Sequence, residues 1–226
     1  MTNYLLSYPR SGNTWVRYFV EFISQQPTSG YKNASDKAIG SKIPIGVDLS
    51  KPVIMEKSHK FYGKEYSPGD KLVVLVRDYK ECMVRHAAAE SWKMSLDEKA
   101  KKKFDEETKG KNEKVDYVEV LMYYDEWPGE KILIYYEDLM LHPKREIKKI
   151  VEFLDLNRKR MEVMFSNLEK HINSGIRVYH AGSQTKGKNL KYHQGRIKPG
   201  LRQYMINQMK TKHPDIYKKY LECYEK

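Results

Sequence analysis

The opening stretch of the chain narrows the possible folds more than any other part of the sequence. A short apolar run, Tyr4-Leu5-Leu6, predicts a buried strand, and apolar residues from Trp15 to Ile23 recur with the period of a helix. Between them lies the polar segment Ser7–Thr14. A strand, a tight loop and a helix in this order direct backbone N–H groups and a helix N-terminus toward one anion. The stretch therefore predicts either an anion-binding loop or an ordinary strand-to-helix turn with a good N-cap.

The side chains of this loop favour the anion-binding interpretation. Gly12 lets the backbone approach a ligand closely. Ser11, Asn13 and Thr14 can cap the helix or donate hydrogen bonds to a phosphate. Arg10 adds a planar group that is permanently charged. We therefore predict a phosphate-binding loop, although the G-x-x-x-x-G-K-[ST] pattern of nucleotide triphosphatases is missing from the sequence.

Three further apolar runs predict strands, at Pro52–His59, Lys71–Val76 and Lys131–Tyr136. Helical periodicity predicts helices at about residues 79–92, 96–126 with a break near Gly110, 143–154, 158–168, 201–212 and 215–224. Residues 26–51 and 181–200 lack this periodicity and are predicted to be loops. Strands that alternate with helices are typical of an α/β fold with a central, mainly parallel sheet. The length of 226 residues predicts one domain over residues 1–226.

Polar and aromatic residues follow the predicted strands where each strand ends. Arg10–Trp15 follow the first strand, Lys57 and His59 end the second, Arg77 follows the third and Tyr136 ends the fourth. The carboxyl ends of parallel strands meet at one rim of the sheet, so these residues are expected to lie together. A histidine there could act as a general base toward a hydroxyl or amine. Alternatively, it could be a strand-end histidine that is hydrogen-bonded to backbone.

The charge of the chain predicts an anionic partner. The net charge is +12, and no acidic residue lies between Glu169 and Asp215. Nucleic acid, an anionic cofactor or an acidic substrate would each satisfy this charge. The two cysteines, Cys82 and Cys223, form neither a disulfide framework nor a metal-ligand cluster, which fits a reducing compartment. Without a signal peptide or an apolar run of membrane-spanning length, a soluble cytoplasmic protein is expected.

Five segments of the chain, in the same order, resemble the motifs of the PAPS-dependent sulfotransferase family. They are Tyr8–Trp15 (Y-P-K-S-G-T-T-W in the family), Lys57–His59 (K-[ST]-H), Arg77–Glu81 (R-[ND]-P-x-[DE]), Tyr136–Leu139 with Pro143–Ile147 (Y-E-D-L…P-x-x-E-I) and Lys186-Gly187 (the end of R-K-G). The resemblance implies a P-loop-like fold and transfer of a sulfonate from PAPS, 3′-phosphoadenosine 5′-phosphosulfate. The implied acceptor is a hydroxyl or amine of a small molecule, glycan or lipid head group. No metal and no nucleic acid partner are implied.

The resemblance also implies which residues hold the donor. Arg10, Ser11, Gly12, Asn13, Thr14 and Trp15 would form the loop that holds the 5′-phosphosulfate. Trp15 would also stack on adenine, with Tyr136 near the base, whereas core packing is the alternative for both aromatic side chains. Arg77 and the segment Lys186-Gly187 would hold the 3′-phosphate.

The catalytic roles implied by the resemblance fall on three residues of the rim. His59 would be the base that takes the proton from the acceptor. Glu56 is its alternative, because glycan sulfotransferases often use a carboxylate base. Lys57 and Arg10 would stabilise the charge that grows on the sulfonate and on the bridging oxygen.

Several positions depart from the family's motifs. Arg10 replaces the loop lysine, which keeps the charge but cannot donate a proton in the same way. Arg85 stands where the family has a serine at the 3′-phosphate, and we count it among the donor-binding residues, with a solvent-facing side chain as the alternative. Thr185 stands where the R-K-G motif begins, so Lys188 or Lys191 would have to complete that part of the site.

Two other classes of protein stay open at this point. The first is a nucleotide-dependent kinase with a P-loop-like fold, although the sequence near the loop lacks the paired aspartates that would bind magnesium. The second is a basic nucleic-acid-binding protein that makes no covalent change.

Overall fold

A parallel sheet forms the centre of the protein. The computed structural model describes residues 2–30, 37–60, 67, 69–89, 94–110, 115–182 and 197–225, with the backbone alone for 176–182. The strands are β1 (Asn3–Ser7), β2 (Thr28–Gly30), β3 (Met55–Ser58), β4 (Lys71–Val76) and β5 (Lys131–Tyr135). Their order across the sheet is β2-β3-β1-β4-β5, and every neighbouring pair is parallel. The predicted α/β fold with a central parallel sheet is confirmed.

Helices cover both faces of the sheet. They are α1 (Asn13–Ser24), α2 (Tyr79–Ala87), α3 (Leu96–Glu106), α4 (Tyr117–Glu126), α5 (Tyr136–Leu141), α6 (Pro143–Phe153), α7 (Arg158–Ser166), α8 (Leu168–Gly182), α9 (Pro199–Lys212) and α10 (Pro214–Ile216). Short helical turns at Ile39–Ser41, Tyr217–Leu221 and Glu222–Glu225 complete the helical structure of the described residues. None of the helices in these ranges is long and apolar enough to cross a bilayer.

The apolar side chains of β4 show how the two layers form. Leu72, Val74 and Val76 belong to one buried cluster, together with side chains of α2, α3, α4 and α9. Val73 and Leu75 belong to the opposite cluster, together with side chains of α1, α6 and α7. Successive strand residues face opposite sides, so a strand that is covered on both sides is continuously apolar.

The structure corrects several predicted boundaries. The strand predicted to end at Tyr136 ends at Tyr135, because Tyr136 begins α5. The break predicted near Gly110 is confirmed, because α3 ends at Glu106 and α4 begins at Tyr117. Asp116 caps α4 through its bonds to the N–H groups of Val118 (2.8 Å) and Glu119 (3.0 Å). The predicted loop over 181–200 includes the last residues of α8 and the first residues of α9. Residues 183–196 of this loop lie outside the described residues. The predicted helix over 79–92 ends at Ala87.

The largest correction concerns residues 26–51, which were predicted to be one irregular loop. They contain β2 and the helical turn Ile39–Ser41. The fully buried carboxylate of Glu21 holds both, since it accepts hydrogen bonds from the N–H groups of Thr28 (3.1 Å), Ile39 (2.8 Å) and Gly40 (2.7 Å) and from the Thr28 hydroxyl. One turn earlier, Arg17 Nε donates to Thr28 Oγ1 at 2.7 Å. A buried acidic side chain therefore orders a segment whose own sequence carries little structural signal.

Glu21→Ala is expected to destabilise the protein by about 3 kcal/mol, because it leaves several buried donors without an acceptor. Urea denaturation followed by circular dichroism measures the loss. Glu162→Ala, at an exposed position of α7, is the matched control, and it is expected to change stability by no more than about 0.5 kcal/mol. Equal stability of the two variants would contradict the assigned role of Glu21.

Candidate active site

The loop between β1 and α1 (Tyr8–Gly12, the β1–α1 loop) adopts an unusual backbone conformation. Arg10 has a φ of 70° and Gly12 a φ of 100°, both in the left-handed region. This conformation costs an arginine about 1–2 kcal/mol. The Ser11 N–H donates to the Tyr8 carbonyl at 3.2 Å, and the Trp15 N–H donates to the Gly12 carbonyl at 2.9 Å. The loop thus places the N-terminus of α1 at the carboxyl end of β1.

The start of α1 differs from an ordinary capped turn. Its N-cap is Gly12, which has no side chain with which to bond the first N–H groups. The Asn13 side chain donates to Ser7 Oγ at 3.2 Å, and the buried Ser11 hydroxyl lies 3.5 Å from Cys82 Sγ. Thr14 is half-buried. These positions favour the anion-binding interpretation of the loop over the capped-turn alternative.

Trp15 lies largely within the core. Its side chain is 7% exposed and contacts Phe19 and Tyr136, with ring centroids 5.1 and 6.1 Å away. Gly175 of α8 packs directly against it, since a Cβ at that position would lie 2.5 Å from the indole ring. This is the core packing that the sequence left open. Contact between Trp15 and adenine stays a prediction.

His59 lies at the carboxyl end of β3, beside the end of β1. Its Nδ1 is 2.6 Å from the Ser7 carbonyl oxygen. A carbonyl oxygen can only accept a hydrogen bond, so Nδ1 carries the proton in the neutral ring. Nε2 is then the nitrogen with the lone pair, which is what a general base requires.

Lys57 and Glu56 occupy earlier positions of the same strand. Lys57 pairs with Leu5 of β1 and is half-buried. Glu56 pairs with Tyr4 of β1. It precedes His59 by three residues, which corresponds to about 10 Å along a strand. Burial, and after it the carboxylate of Asp70, raises the pKa of Glu56. Since Asp70 directly precedes β4, Glu56 lies toward the amino ends of the strands, and the geometry favours His59 over Glu56 as the base.

Arg77, Glu81 and Arg85 form a largely buried arginine cluster at the end of β4 and along α2. The Glu81 carboxylate is fully buried and pairs with Arg77 (3.4 Å) and also with Arg85 Nε. Arg77 also donates to the Arg10 carbonyl at 3.1 Å. Two guanidinium groups share the Glu81 carboxylate next to the β1–α1 loop, and the Glu137 carboxylate also interacts electrostatically with Arg77.

Tyr136, the first residue of α5, connects the arginine cluster to the loop. The Arg77 guanidinium lies 4.1 Å from the centre of its ring. A Cβ on Gly12 would lie only 2.7 Å from the same ring, so the loop backbone packs tightly against it. Burial raises the pKa of Tyr136, against the opposing effect of Arg77 and Arg85. The phenol is therefore neutral near pH 7.

The contacts of these residues confirm the predicted assembly at the carboxyl-end rim. His59, Arg77 and Tyr136 all lie next to β1 or to the β1–α1 loop. Lys186 and Gly187, as well as Thr185, Lys188 and Lys191, lie outside the described residues. Within the described ranges, no group of three or more His, Cys, Asp or Glu side chains is arranged to hold a metal ion.

Sequence reasoning missed the role of Glu81 as the shared partner of the two arginines. The signal was present, because Arg77, Glu81 and Arg85 are each four residues apart, the spacing that brings side chains together along a helix. It also missed Glu107, which bonds Tyr8 of the loop from the end of α3, about a hundred residues further along the chain. A contact between such distant residues leaves no periodic signal in the sequence.

The fold and the rim define an α/β protein with a tight strand-to-helix loop and two largely buried arginines at the carboxyl ends of its strands. The crystal structure of mouse sulfotransferase SULT7A1 complexed with PAP has the same fold, with a TM-score of 0.60 and 14% sequence identity over 95% of this chain and 85% of that chain. The sulfotransferase-domain family model matches residues 3–223. The chain therefore belongs to the sulfotransferase-domain family.

Two fly proteins are similar to this chain in sequence. The WSCD family member GA21586 of Drosophila pseudoobscura pseudoobscura is 28% identical over 163 residues, which cover 68% of this chain and 50% of that protein. The WSCD family member CG9164 of Drosophila melanogaster is 27% identical over 159 residues, which cover 66% of this chain and 49% of that protein. The chain thus spans about half the length of these relatives.

Gly12→Ala is expected to destabilise the protein by about 2 kcal/mol, since the new Cβ strains the left-handed backbone and meets the Tyr136 ring. Gly200→Ala is the control, because a Cβ on Gly200 in α9 has no heavy atom within 4 Å. That change is expected to be neutral or to stabilise by up to about 1 kcal/mol. Urea denaturation compares them, and a Gly12→Ala variant as stable as Gly200→Ala would refute the tight contact with Tyr136.

Proposed function

We propose that this protein transfers a sulfonate group from PAPS to a hydroxyl or amine of an acceptor. The arginine cluster carries the proposal. Arg77 is 6% exposed, and its Nε has no hydrogen-bond partner among the described residues. Largely buried guanidinium groups, with one Nε donor that no described residue accepts from, are suited to binding a phosphate. Membership in the sulfotransferase-domain family supports this function over a nucleotide-dependent kinase or a nucleic-acid-binding protein.

The two anionic ends of PAPS would contact different positive groups of the rim. The β1–α1 loop and the N-terminus of α1 would hold the 5′-phosphosulfate, with Arg10 adding a charge. Arg77 and Arg85 would hold the 3′-phosphate, and both guanidinium groups are already oriented by Glu81. Tyr136 would contact the adenine base from its place beside Arg77.

Three side chains of the protein would act on the reacting groups. PAPS supplies the sulfonate group that is transferred. His59 would accept the acceptor's proton at Nε2, since its Nδ1–H is held by the Ser7 carbonyl. Arg10 and Lys57 would stabilise the negative charge that develops during transfer. A small molecule, a glycan or a lipid head group would serve as the acceptor. Its binding walls would come from residues 26–51 and from the region 96–126.

His59→Ala is expected to lower kcat for sulfonate transfer by about 100-fold or more, while the Kd for PAP stays within about twofold of the wild-type value. PAP is here 3′,5′-bisphosphoadenosine, the product left by the donor. Transfer is measured with radiolabelled PAPS over a panel of phenols, sugars and lipid head groups, and PAP binding by calorimetry. His142→Ala, at an exposed position, is the control. Full activity of His59→Ala would refute the base assignment.

PAP is expected to raise the melting temperature of the wild-type protein, whereas ATP with magnesium is not. Stabilisation by ATP with magnesium alone would contradict the proposed function.

Arg85→Ala is expected to weaken PAP binding by about tenfold and to leave the affinity for adenosine 5′-monophosphate unchanged, since only PAP carries a 3′-phosphate. Arg158→Ala, which removes an exposed arginine that lies 3.8 Å from Glu152, is the matched control. Equal losses for both ligands would contradict a 3′-phosphate role for Arg85.

A further inference from the structure

Tyr8 connects the β1–α1 loop to the helices behind it. The side chain is 1% exposed, and its hydroxyl donates to the carboxylate of Glu107. The same oxygen lies 3.0 Å from His86 Nδ1 and 3.3 Å from Met83 Sδ. The Tyr8 ring also packs against Tyr117, with ring centroids 5.4 Å apart. The residue that opens the loop is therefore fixed by α2, α3 and α4 together.

Glu107 is the centre of this buried group. Its carboxylate accepts hydrogen bonds from Tyr8 and from Lys103 Nζ at 2.9 Å, and it lies 3.2 Å from His86 Nδ1. Its backbone carbonyl accepts from the Tyr117 N–H at 2.8 Å. Burial alone would raise the pKa of Glu107, but the bonds from His86, Tyr8 and Lys103 outweigh it and lower the pKa to about 2. An ionised carboxylate makes a stronger bond to a hydroxyl than a neutral acceptor does.

The loop needs such an anchor because its backbone is strained. A non-glycine residue in the left-handed region persists only where the surrounding structure holds it there, and Arg10 is such a residue. Arg77 holds the middle of the loop through the Arg10 carbonyl. Tyr8, two residues earlier, holds its beginning. The N–H groups that follow keep their direction only if both ends of this short segment stay in place.

We propose that Tyr8 and Glu107 are positioning residues for the 5′ end of the donor. They touch neither the donor nor the acceptor in this assignment. The Glu107 carboxylate holds the Tyr8 hydroxyl, and Tyr8 fixes the direction of the N–H groups and of Arg10 that bind the 5′-phosphosulfate. This inference rests on the proposed function. It predicts an effect that is limited to ligands with a 5′-anion, which general destabilisation of the fold would not produce.

The test removes one hydroxyl and compares two ligands. Tyr8→Phe is expected to weaken binding of PAP about tenfold and to leave binding of adenosine 3′-monophosphate, which lacks the 5′-phosphate, within about twofold of wild type. Tyr204→Phe is the matched control, because Tyr204 also donates to a carboxylate of α3, Asp105 at 2.8 Å, away from the loop. Calorimetry measures the affinities, and thermal melting verifies that each variant is folded.

Each outcome of this test has one meaning. A Tyr8→Phe variant that binds both ligands as the wild type does, or that loses both equally, overturns the positioning role. If Tyr8→Phe does not fold, Glu107→Gln takes its place, since the amide keeps an oxygen for the tyrosine but loses the charge. A loss of about threefold or more for PAP is then expected, and an unchanged affinity overturns the proposal. Failure of the wild-type protein to bind PAP would instead refute the proposed function.

Discussion

The parallel pairing of β1 with a strand on each side is the constraint on which the rest of the structure depends. β3 and β4 flank β1, so whatever follows β1 emerges at the middle of the carboxyl-end rim. The chain turns there into α1 within a few residues, and the turn requires left-handed backbone at Arg10 and Gly12. His59 arrives from one neighbouring strand and Arg77 from the other, and each makes a hydrogen bond to backbone of this central segment. The site is thus a direct consequence of strand order.

Electrostatics decides what this arrangement can bind. A buried carboxylate lies between two guanidinium groups, and the carboxylate of Glu137 also interacts electrostatically with Arg77. Replacing such an ionic group with apolar side chains is often neutral for stability, so a buried group of this kind fits the proposed ligand-binding role better than a role in folding. The aromatic ring of Tyr136 lies against Arg77 and limits its exposure to water. Weak screening in this place strengthens attraction for an anionic ligand.

The apolar runs of β1, β4 and β5 predicted these three strands, because a sheet covered by helices on both faces favours consecutive apolar residues. β3 was predicted as part of Pro52–His59, but it covers only Met55–Ser58, and its residues Glu56 and Lys57 are charged. β2 left no such signal. Its sequence is Thr28-Ser29-Gly30, and its place is determined by pairing with β3 and by the Glu21 carboxylate. Likewise, strand ends alone predicted that His59, Arg77 and Tyr136 would meet. The orientation of those side chains depends on Ser7, Glu81 and Gly12, and contacts of this kind are specified by packing rather than by pattern.

Arg77 belongs to both halves of the proposed donor site. Its guanidinium takes part in the arginine cluster that would hold the 3′-phosphate, and it also donates to the carbonyl of Arg10 in the loop for the 5′-phosphosulfate. Arg10 is the residue that replaces the lysine of the family's motif, and its left-handed backbone is the strained point of the loop. The hydrogen bond from Arg77 to the Arg10 carbonyl helps to stabilise this strained backbone. Tyr8 anchors the beginning of the loop through its bond to Glu107. The two anionic ends of the donor would therefore meet one hydrogen-bonded unit that includes Arg77, Arg10 and Tyr8.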